Sequence, residues 1–278
     1  MGLVSDVPSD VRSAEDAHGR ALLRALVDIA DGLVTTFDSA DLLHRLTAHC
    51  VDLLAGGAAG ILLADPDRRL RVVAASTEDL HTVELLAAQG ERGPCVDCVS
   101  TGQPVGVPHL RASRARWPEW ADLALAQGYR SAYATPMRLR EDVIGALTIV
   151  ATTPDALPAS DLDAARALAD VATITLLTHA AADRSDSLTA QLRYALDSRV
   201  VIEQAKGVVA TAGGLTMEDA FQLLRSASRN TNVRLSELAE GITTGRTGTD
   251  DLQRWSGERR QVRGDGNGNG RRRGGDGD

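Results

Sequence analysis

Two cysteines stand three positions apart in the first half of the chain, at Cys95 and Cys98. Thiols at this spacing can form a disulfide, which makes the pair a candidate redox switch. A metal site is a second interpretation, but the remaining cysteine is Cys50 and the nearest histidine is His109, and this spacing does not demand zinc. Small buried thiols that pack without reacting are commoner. The sequence leaves the three interpretations open and favours packing.

The rest of the chain lacks the spacing of a catalytic or metal site. The histidines show no H-x-x-x-H pair or comparable ligand spacing, and they are His18, His44, His49, His81, His109 and His179. P-loop, G-x-G-x-x-G and G-x-S-x-G patterns are absent. We therefore predict that the protein is not an enzyme, with no catalytic residue and no metal ligand.

A second group of chemistry-bearing residues is basic and rich in amides, and it lies near the C-terminus. At about 100° per residue, Arg199 and Lys206 differ by roughly 20°, so they are expected to share a face of one helix. Arg225 and Arg229 are i, i+4 neighbours on another helix. The joint that follows adds Asn230, Asn232 and Arg234. Lys206 is the only lysine of the chain. The pattern predicts a polar binding face without naming its ligand, and ordinary solvated helix residues are the alternative.

Three amphipathic segments position this face. Their apolar residues recur at helical spacing, at Ile202, Ala205 and Val209, then Ala220, Phe221, Leu224 and Ala227, then Leu235, Leu238, Ala239 and Ile242. Gly213 and Gly214 end the first helix, and Thr216 followed by Asp219 is typical of an N-cap with an acid in the first turn. A small three-helix bundle is expected.

The same stretch resembles the ANTAR family of RNA-binding output domains in bacterial antitermination regulators. The matching residues are Leu196, Ser198, Arg199, Ile202, Gln204, Ala205, Lys206 and Gly207, then Met217, Asp219, Ala220, Phe221, Leu224 and Arg225, then Leu235, Ser236, Leu238 and Ala239. The resemblance implies a domain over residues 198–245 that binds paired RNA hairpins with hexanucleotide loops and prevents a terminator from forming. Its RNA-binding candidates here are Arg199, Gln204, Lys206, Arg225, Arg229, Asn230 and Arg234.

Upstream, helical and strand-like patterns alternate. Two helices follow Arg20, and Asp38 or Ser39 is expected to cap the second. Strands are predicted at 59–64, 70–75, 104–107, 131–139 and 143–151, with helices at 78–89 and 161–181. This order predicts an α+β domain of about 160 residues.

That order resembles a GAF domain, the small sensory fold of many bacterial regulators. The local matches are Gly93 to Cys98, Val99, Thr101, Gly102, Pro104 and Val105, then Ala134, Pro136 and Met137, then Ile144 to Leu147. The resemblance implies an α+β sensor over residues 19–181, an antiparallel sheet with flanking helices, followed by a helical linker and the all-α ANTAR bundle. GAF pockets accept varied small molecules or none, and no residue set here selects one, so the ligand and cofactor stay unknown. The acidic pair and the lysine of a phosphoacceptor receiver are missing.

The segment between the domains, 182–197, is predicted as a helical linker. Leu188, Leu192, Ala195, Arg199 and Ile202 alternate steps of four and three, which is a heptad seam with one polar position. A parallel homodimer along this helix is expected, because it would place two output domains before paired hairpins. Packing within one chain is the alternative, and Arg199 cannot easily serve both the seam and RNA.

Both ends of the chain are polar. Residues 1–18 are predicted to be a flexible leader, and residues 246–278 a disordered tail rich in glycine and arginine. The leader has no apolar core of a signal peptide, and no apolar run reaches the ~18 residues of a membrane span. A cytoplasmic protein is expected. The net charge of −8 makes any nucleic-acid contact local.

Together the two resemblances predict a cytoplasmic, signal-responsive regulator. Its ANTAR domain would bind RNA and cause transcription antitermination under control of the GAF-like sensor. A DNA-binding regulator is one alternative, but the last helix is short and carries Glu237 and Glu240, which suits a major groove poorly. A GAF-type methionine sulfoxide reductase using Cys95 and Cys98 is another, although those enzymes lack an output module.

Overall fold

The computed structural model describes residues 9–31, 38–65, 67–77, 79–88, 91–182, 187–249, 251–252 and 254. The chain divides into two compact units, Met1–Val200 and Val201–Asp278. In the described ranges no helix combines the length and the apolar character that a membrane span requires.

The first unit contains a five-stranded sheet and helices on both sides of it. Its helices are α1 (Ser9–Ala30), α2 (Ser39–Leu53), α3 (Leu80–Ala88), α4 (Pro94–Thr101), α5 (Pro118–Ala126) and α6 (Ala159–Ala182). A 3-10 helix, Leu110–Ala115, precedes α5. Asp38 caps α2 as predicted, because its Oδ1 accepts from the backbone N–H groups of Ala40 at 2.8 Å and Asp41 at 3.3 Å. The predicted leader was wrong from Ser9 onward, since α1 already begins there.

The strands form one antiparallel sheet in the order β2-β1-β5-β4-β3. They are β1 (Ala58–Ala64), β2 (Leu70–Ala75), β3 (Val105–Val107), β4 (Ser131–Leu139) and β5 (Asp142–Ala151). Arg140 and Glu141 form the two-residue turn between β4 and β5, and Arg140 has a left-handed φ of 57°. Gly145 lets β5 lie flush against β1, because a Cβ there would come within 2.1 Å of the Leu62 carbonyl oxygen. The α+β domain expected from the sequence, an antiparallel sheet with flanking helices, is confirmed.

The two faces of the sheet bury different cores. Alternate residues of the strands, among them Ile61, Leu63, Met137, Leu147 and Ile149, pack under α1, α2 and α6. The opposite face packs against α3, α4 and α5, where Trp117 and Trp120 meet edge to face with ring centroids 6.0 Å apart. This second face holds Cys95 and Cys98.

Three helices build the C-terminal region, α7 (Ser187–Gly213), α8 (Met217–Thr231) and α9 (Leu235–Thr243). The division between the two units falls inside α7. Gly214, with φ +60°, follows the end of α7. Thr216 caps α8 as predicted, since its hydroxyl accepts from Asp219 N at 3.1 Å and donates to the Asp219 carboxylate at 2.7 Å. Every apolar residue predicted for the bundle core is buried.

The predicted C-terminal tail and the predicted α7 seam differ in how far the structure tests them. Leu252 is fully buried, so the prediction of a disordered tail from 246 was wrong for that residue. Residues 183–186 and 255–278 lie outside the described part, and so do the side chains of Leu188, Leu192 and Ala195. At the end of the predicted seam, Ile202 is fully buried within its own chain. That position packs internally, which is the alternative to the coiled coil.

Candidate nucleic-acid interface

The joint between α8 and α9 brings three of the predicted contact residues to one corner of the bundle. α8 ends because Asn232 adopts the left-handed conformation, with φ 56°, which short amide side chains tolerate. Val233 N donates to Ser228 O at 3.2 Å, and Ser228 Oγ donates to Val233 O at 2.6 Å. These bonds close the turn. On it lie exposed Arg229, half-buried Asn230 and exposed Arg234.

The sequence predicted that Lys206 lies on a polar, solvent-facing surface, but the structure does not place it there. Its side chain is fully buried in the bundle, and its ammonium donates to both carboxylate oxygens of Glu203 at 3.0 Å. The same nitrogen lies 5.1 Å from the centroid of the Phe221 ring, which is within cation–π range. Glu203 keeps 37% of its side chain exposed, so the pair is only half desolvated. Burying an unpaired ammonium would be costly, and these partners stabilise it.

Arg225 contacts the same aromatic ring. It is 8% exposed, and its guanidinium carbon lies 5.7 Å from the Phe221 centroid. One turn later, Arg229 Nε donates to the Arg225 carbonyl oxygen at 3.3 Å. The bundle therefore surrounds Phe221 with two buried cations, and Arg229 extends the basic row to the surface. We call Lys206, Arg225 and Phe221 the cation–ring cluster.

The two remaining candidates on α7 have different surroundings. Gln204 is exposed. Arg199 is half-buried, and its guanidinium donates to the carbonyl oxygen of Val72 in β2, inside the first compact unit. The structure thus unites Lys206 with Arg225 and places Arg229, Asn230 and Arg234 at one joint, whereas Arg199 and its main-chain partner Val72 both lie in the first unit.

A signal for the burial of Lys206 was present in the sequence. Ile202, Ala205, Lys206 and Val209 stand at i, i+3, i+4 and i+7, so the lysine occupies an apolar position of the helical repeat. The angle between Lys206 and Arg199 did not reveal this, because it compares two polar residues with each other and takes no account of the apolar residues on the same helix.

The cysteines are buried and protonated. Cys95 and Cys98 lie on α4 with no exposed side-chain surface, and Cys50 is buried on α2. Burial raises the pKa of Cys98 and of Cys50 to about 12. Burial, reinforced by the neighbouring Cys98, raises the pKa of Cys95 further, and a hydrogen bond with Thr148 only partly opposes this. Among the described residues no group of three or more His, Cys, Asp or Glu side chains is arranged to hold a metal ion.

A cavity of about 200 Å³ opens at the β3 edge of the sheet. Its lining residues come from β3, β4 and the segment leading into α6, and they are Gly106, Val107, Pro108, Ser131, Ala132, Tyr133, Asp155, Ala156, Leu157 and Leu162. The cavity is smaller than the roughly 300–1,000 Å³ of usual ligand pockets. It does not identify a ligand.

Comparison with known proteins agrees with this two-part architecture. A model described as GAF domain matches residues 38–176, and a model described as ANTAR domain matches residues 190–242. No curated protein matches the chain.

Solved structures of GAF domains are similar to the first unit. The GAF domain of an Acinetobacter phosphoenolpyruvate-protein phosphotransferase has 15% identity and a TM-score of 0.46, covering 59% of this chain and 97% of that one. The GAF domain region of a putative membrane protein from Geobacter sulfurreducens has 16% identity and a TM-score of 0.44, covering 51% and 94%. A type II free methionine-R-sulfoxide reductase from Thermoplasma acidophilum has 19% identity and a TM-score of 0.40, covering 50% and 94%.

The two family matches follow each other without overlap, and the GAF match alone spans half of the chain. They assign a sensor domain to the first unit and a regulatory output domain to the helices that follow. The chain therefore belongs to the GAF domain family and carries an ANTAR domain behind its sensor.

Proposed function

We propose that this protein is a cytoplasmic regulator that binds stem-loop pairs in nascent transcripts and lets transcription pass a terminator. The ANTAR match over residues 190–242 supports RNA as the ligand. The observation that carries the proposal is the exposure of Arg229 and Arg234 beside Asn230 at the α8–α9 joint. Guanidinium groups pair with phosphates and stack on unpaired bases, and an amide can bond to base edges.

The candidate residues divide into two roles. Arg229, Asn230 and Arg234 are the direct contacts, because their side chains reach solvent at least in part. Lys206 and Arg225 are positioning residues, because they are buried around Phe221 and fix α7 against α8. Gln204 and Arg199 are proposed as peripheral contacts, and Arg199 would first have to leave the Val72 carbonyl oxygen.

Control by the GAF domain is assigned to a small molecule in preference to thiol oxidation. A redox switch works through a thiolate, and burial keeps Cys95 and Cys98 protonated at neutral pH. The redox role proposed for these cysteines therefore requires that α4 open first. A methionine sulfoxide reductase activity would meet the same obstacle.

RNA binding is tested with a two-hairpin RNA carrying hexanucleotide loops, beside duplex DNA of equal length. Affinity is measured from about 50 to 200 mM salt, because each lost phosphate contact makes the negative slope of log K against log [salt] shallower by about 0.7–0.9. Arg229→Ala and Arg234→Ala are each expected to weaken binding and flatten the slope by that amount. Lys206→Met is expected to leave the slope unchanged.

Arg254→Ala is the matched control, since Arg254 is an exposed arginine of the same unit that pairs with Asp251 at 3.0 Å. It should keep wild-type affinity and slope. Equal binding of RNA and DNA would contradict the RNA assignment and favour a DNA-binding regulator. Wild-type affinity in Arg229→Ala plus Arg234→Ala would move the interface away from the joint.

A further inference from the structure

The cavity at the β3 edge of the sheet owes its space to Gly106, the middle residue of β3. Gly106 pairs with Tyr133 of β4, and residues directly opposite each other on paired strands point to the same face of the sheet. Tyr133 belongs to the core under α6, so the missing side chain of Gly106 leaves a gap on that face. A Cβ at Gly106 would meet nothing within 4 Å, and the backbone there is not left-handed. The gap could therefore be filled by a larger residue without strain.

The cavity combines a buried, mostly apolar floor with an exposed rim. Its buried lining residues are Val107, Ser131, Ala132 and Tyr133. Gly106, Pro108 and Asp155 line it as well, and all three are exposed. An apolar cavity of about 150 Å³ is enough to hold benzene, and this cavity has about 200 Å³. The floor thus has room for a single ring or a short aliphatic chain.

Two hydrogen bonds hold the segment that carries Asp155 against the strands. The Asp155 backbone N–H donates to the Pro108 carbonyl oxygen at 2.9 Å. Ser131 Oγ donates to the Thr153 carbonyl oxygen at 2.7 Å. Asp155 has a left-handed φ of 49°, which aspartate adopts more readily than most residues. The wall is therefore formed without a ligand, which lowers the ordering cost of binding.

The charge of the lining is negative and comes from one side chain. Asp155 is the only charged residue among those that line the cavity, and in the part of the chain that the structure describes its carboxylate makes no hydrogen bond or ion pair. Outside the lining, Asp163 and Arg166 on α6 interact electrostatically with Tyr133, and their opposite charges offset each other. His109 follows Pro108 and is exposed, so solvent screens it. A ligand at the rim would meet a carboxylate that is free to pair.

We propose that this cavity binds a small organic amine, whose apolar group lies on the floor and whose ammonium pairs with Asp155. The apolar group accounts for the buried lining, and the cation accounts for the carboxylate at the rim. An organic anion would be repelled by Asp155 and would find no cation in the lining. The regulatory meaning of the site rests on the proposed control by a small molecule, whereas binding itself does not.

The test is isothermal titration calorimetry of the full chain without RNA, with 2-phenylethylamine as the probe. At neutral pH this amine carries a positive charge beside an apolar ring. It is expected to bind with a dissociation constant below about 1 mM, which a ligand of about ten non-hydrogen atoms can reach. 2-Phenylethanol has nearly the same shape without the charge and should bind about tenfold more weakly. Phenylacetate, which is an anion, should not bind.

Filling the cavity tests its location. Gly106→Leu should abolish binding of the amine and of the alcohol alike, because the leucine side chain occupies the space of the ring. Circular dichroism should show unchanged folding, since a Cβ at Gly106 meets open space. Gly19→Leu is the matched control, because a Cβ at Gly19 on α1 also meets nothing within 4 Å. It should leave the dissociation constant unchanged.

Neutralising the carboxylate tests the class of ligand. Asp155→Asn keeps the shape of the side chain, and asparagine also tolerates a left-handed φ. It should weaken binding of 2-phenylethylamine by about tenfold and leave that of 2-phenylethanol unchanged. Asp142→Asn is the matched control, because Asp142 is an exposed aspartate at the other end of the β4–β5 hairpin from Ser131. It should keep wild-type affinity for both compounds.

No saturable binding to wild type, or equal affinity in Gly106→Leu, would overturn the cavity as the site. Equal affinity of wild type for the amine and the alcohol, or an Asp155→Asn variant that keeps the wild-type preference for the amine, would overturn the assignment of the ligand as an amine. Because no RNA is present, a failure of the RNA proposal would leave these results as they are. Equally, a failure here would leave the RNA affinity untouched.

Discussion

The sensor domain and the output bundle bury their chemically distinctive residues in opposite ways. The sensor encloses Cys95 and Cys98, which burial keeps neutral. The bundle encloses Lys206 and Arg225, which carry charge and are stabilised by Glu203 and the Phe221 ring. A neutral thiol packs like a small apolar group, whereas a buried cation needs hydrogen-bonding, charged or aromatic partners that stabilise its charge. The bundle core should therefore be the more sensitive to single substitutions.

Removal of the ring that both cations share is expected to have the largest effect. Phe221→Ala should lower the free energy of unfolding of the bundle by about 3–5 kcal/mol, through lost burial and an open cavity. Trp120, in the sensor, is 2% exposed, and Trp120→Ala should lower the free energy of unfolding of the sensor by a similar amount. The sensor has the larger core and should remain folded. Chemical denaturation followed by circular dichroism should show loss of the bundle in the first variant and a folded sensor in both. A folded bundle in Phe221→Ala would contradict the central role of the ring.

Truncation of the buried lysine separates charge from volume. Lys206→Ala should destabilise the bundle by about 2–4 kcal/mol, because it leaves a cavity and removes the partner of Glu203. Lys206→Met fills the same space, and Glu203 can rehydrate, so a loss of about 1 kcal/mol or less is expected. Urea denaturation of the two variants measures the difference. Equal losses would mean that the charge, and not the volume, holds α7 to α8.

The thiols of the sensor should be far less reactive than free cysteine. Because burial raises the pKa of Cys50 and Cys98 to about 12, almost no thiolate exists near pH 8. Alkylation of the folded protein at that pH is expected to be slower than that of the urea-unfolded chain by at least about 100-fold. Rapid labelling of Cys95 or Cys98 in the native state, located by mass spectrometry, would revive the redox interpretation.

The smallest effect is expected where the sensor uses a surface charge pair. Asp28 on α1 accepts from His49 Nε2 at 2.8 Å and pairs with Arg45 at 3.1 Å, and both residues lie on α2. The hydrogen bond with His49, helped by Arg45, holds the pKa of Asp28 below its ordinary value of 3.8. An acid whose pKa is lower in the folded state than in the unfolded state stabilises the fold at pH values above its unfolded pKa. That stabilisation is lost as the pH falls through its folded pKa.

Asp28→Asn should therefore cost less than about 1 kcal/mol at pH 6. The wild-type and variant curves of unfolding free energy against pH should converge below pH 4. Asp52→Asn, at an exposed position of α2, is the control and should shift neither curve. A constant gap at all pH values would show that the carboxylate charge is not what stabilises the pair.

Most of the sensor fold could be predicted because its strands are short apolar runs between turn residues. β2 and β4 match their predicted limits, and β1, β3 and β5 begin within one residue of them. The start of α1 was missed, because residues 9–18 are polar and their helix continues from an amphipathic segment that begins later. Local composition does not report such continuation.

The output site was predicted less well. Residue type alone suggested that Lys206 is exposed, since lysine is almost never fully buried unless it is paired. Glu203 is three residues away, and Phe221 is supplied by another helix, so the cluster depends on tertiary packing. Leu252 was missed for a related reason, because a single apolar residue after a glycine-rich turn has no periodicity.

The enclosure of Lys206 also makes the bundle a natural reporter of its own opening. The chain has one lysine, and its amine is sealed away from solvent in the folded bundle. Reagents that acylate lysine side chains, whether chemical probes or acetyl donors, can reach that nitrogen only when α7 and α8 separate. The rate of lysine acylation in the intact protein would then report how often the output bundle opens, with no background from any other side-chain amine.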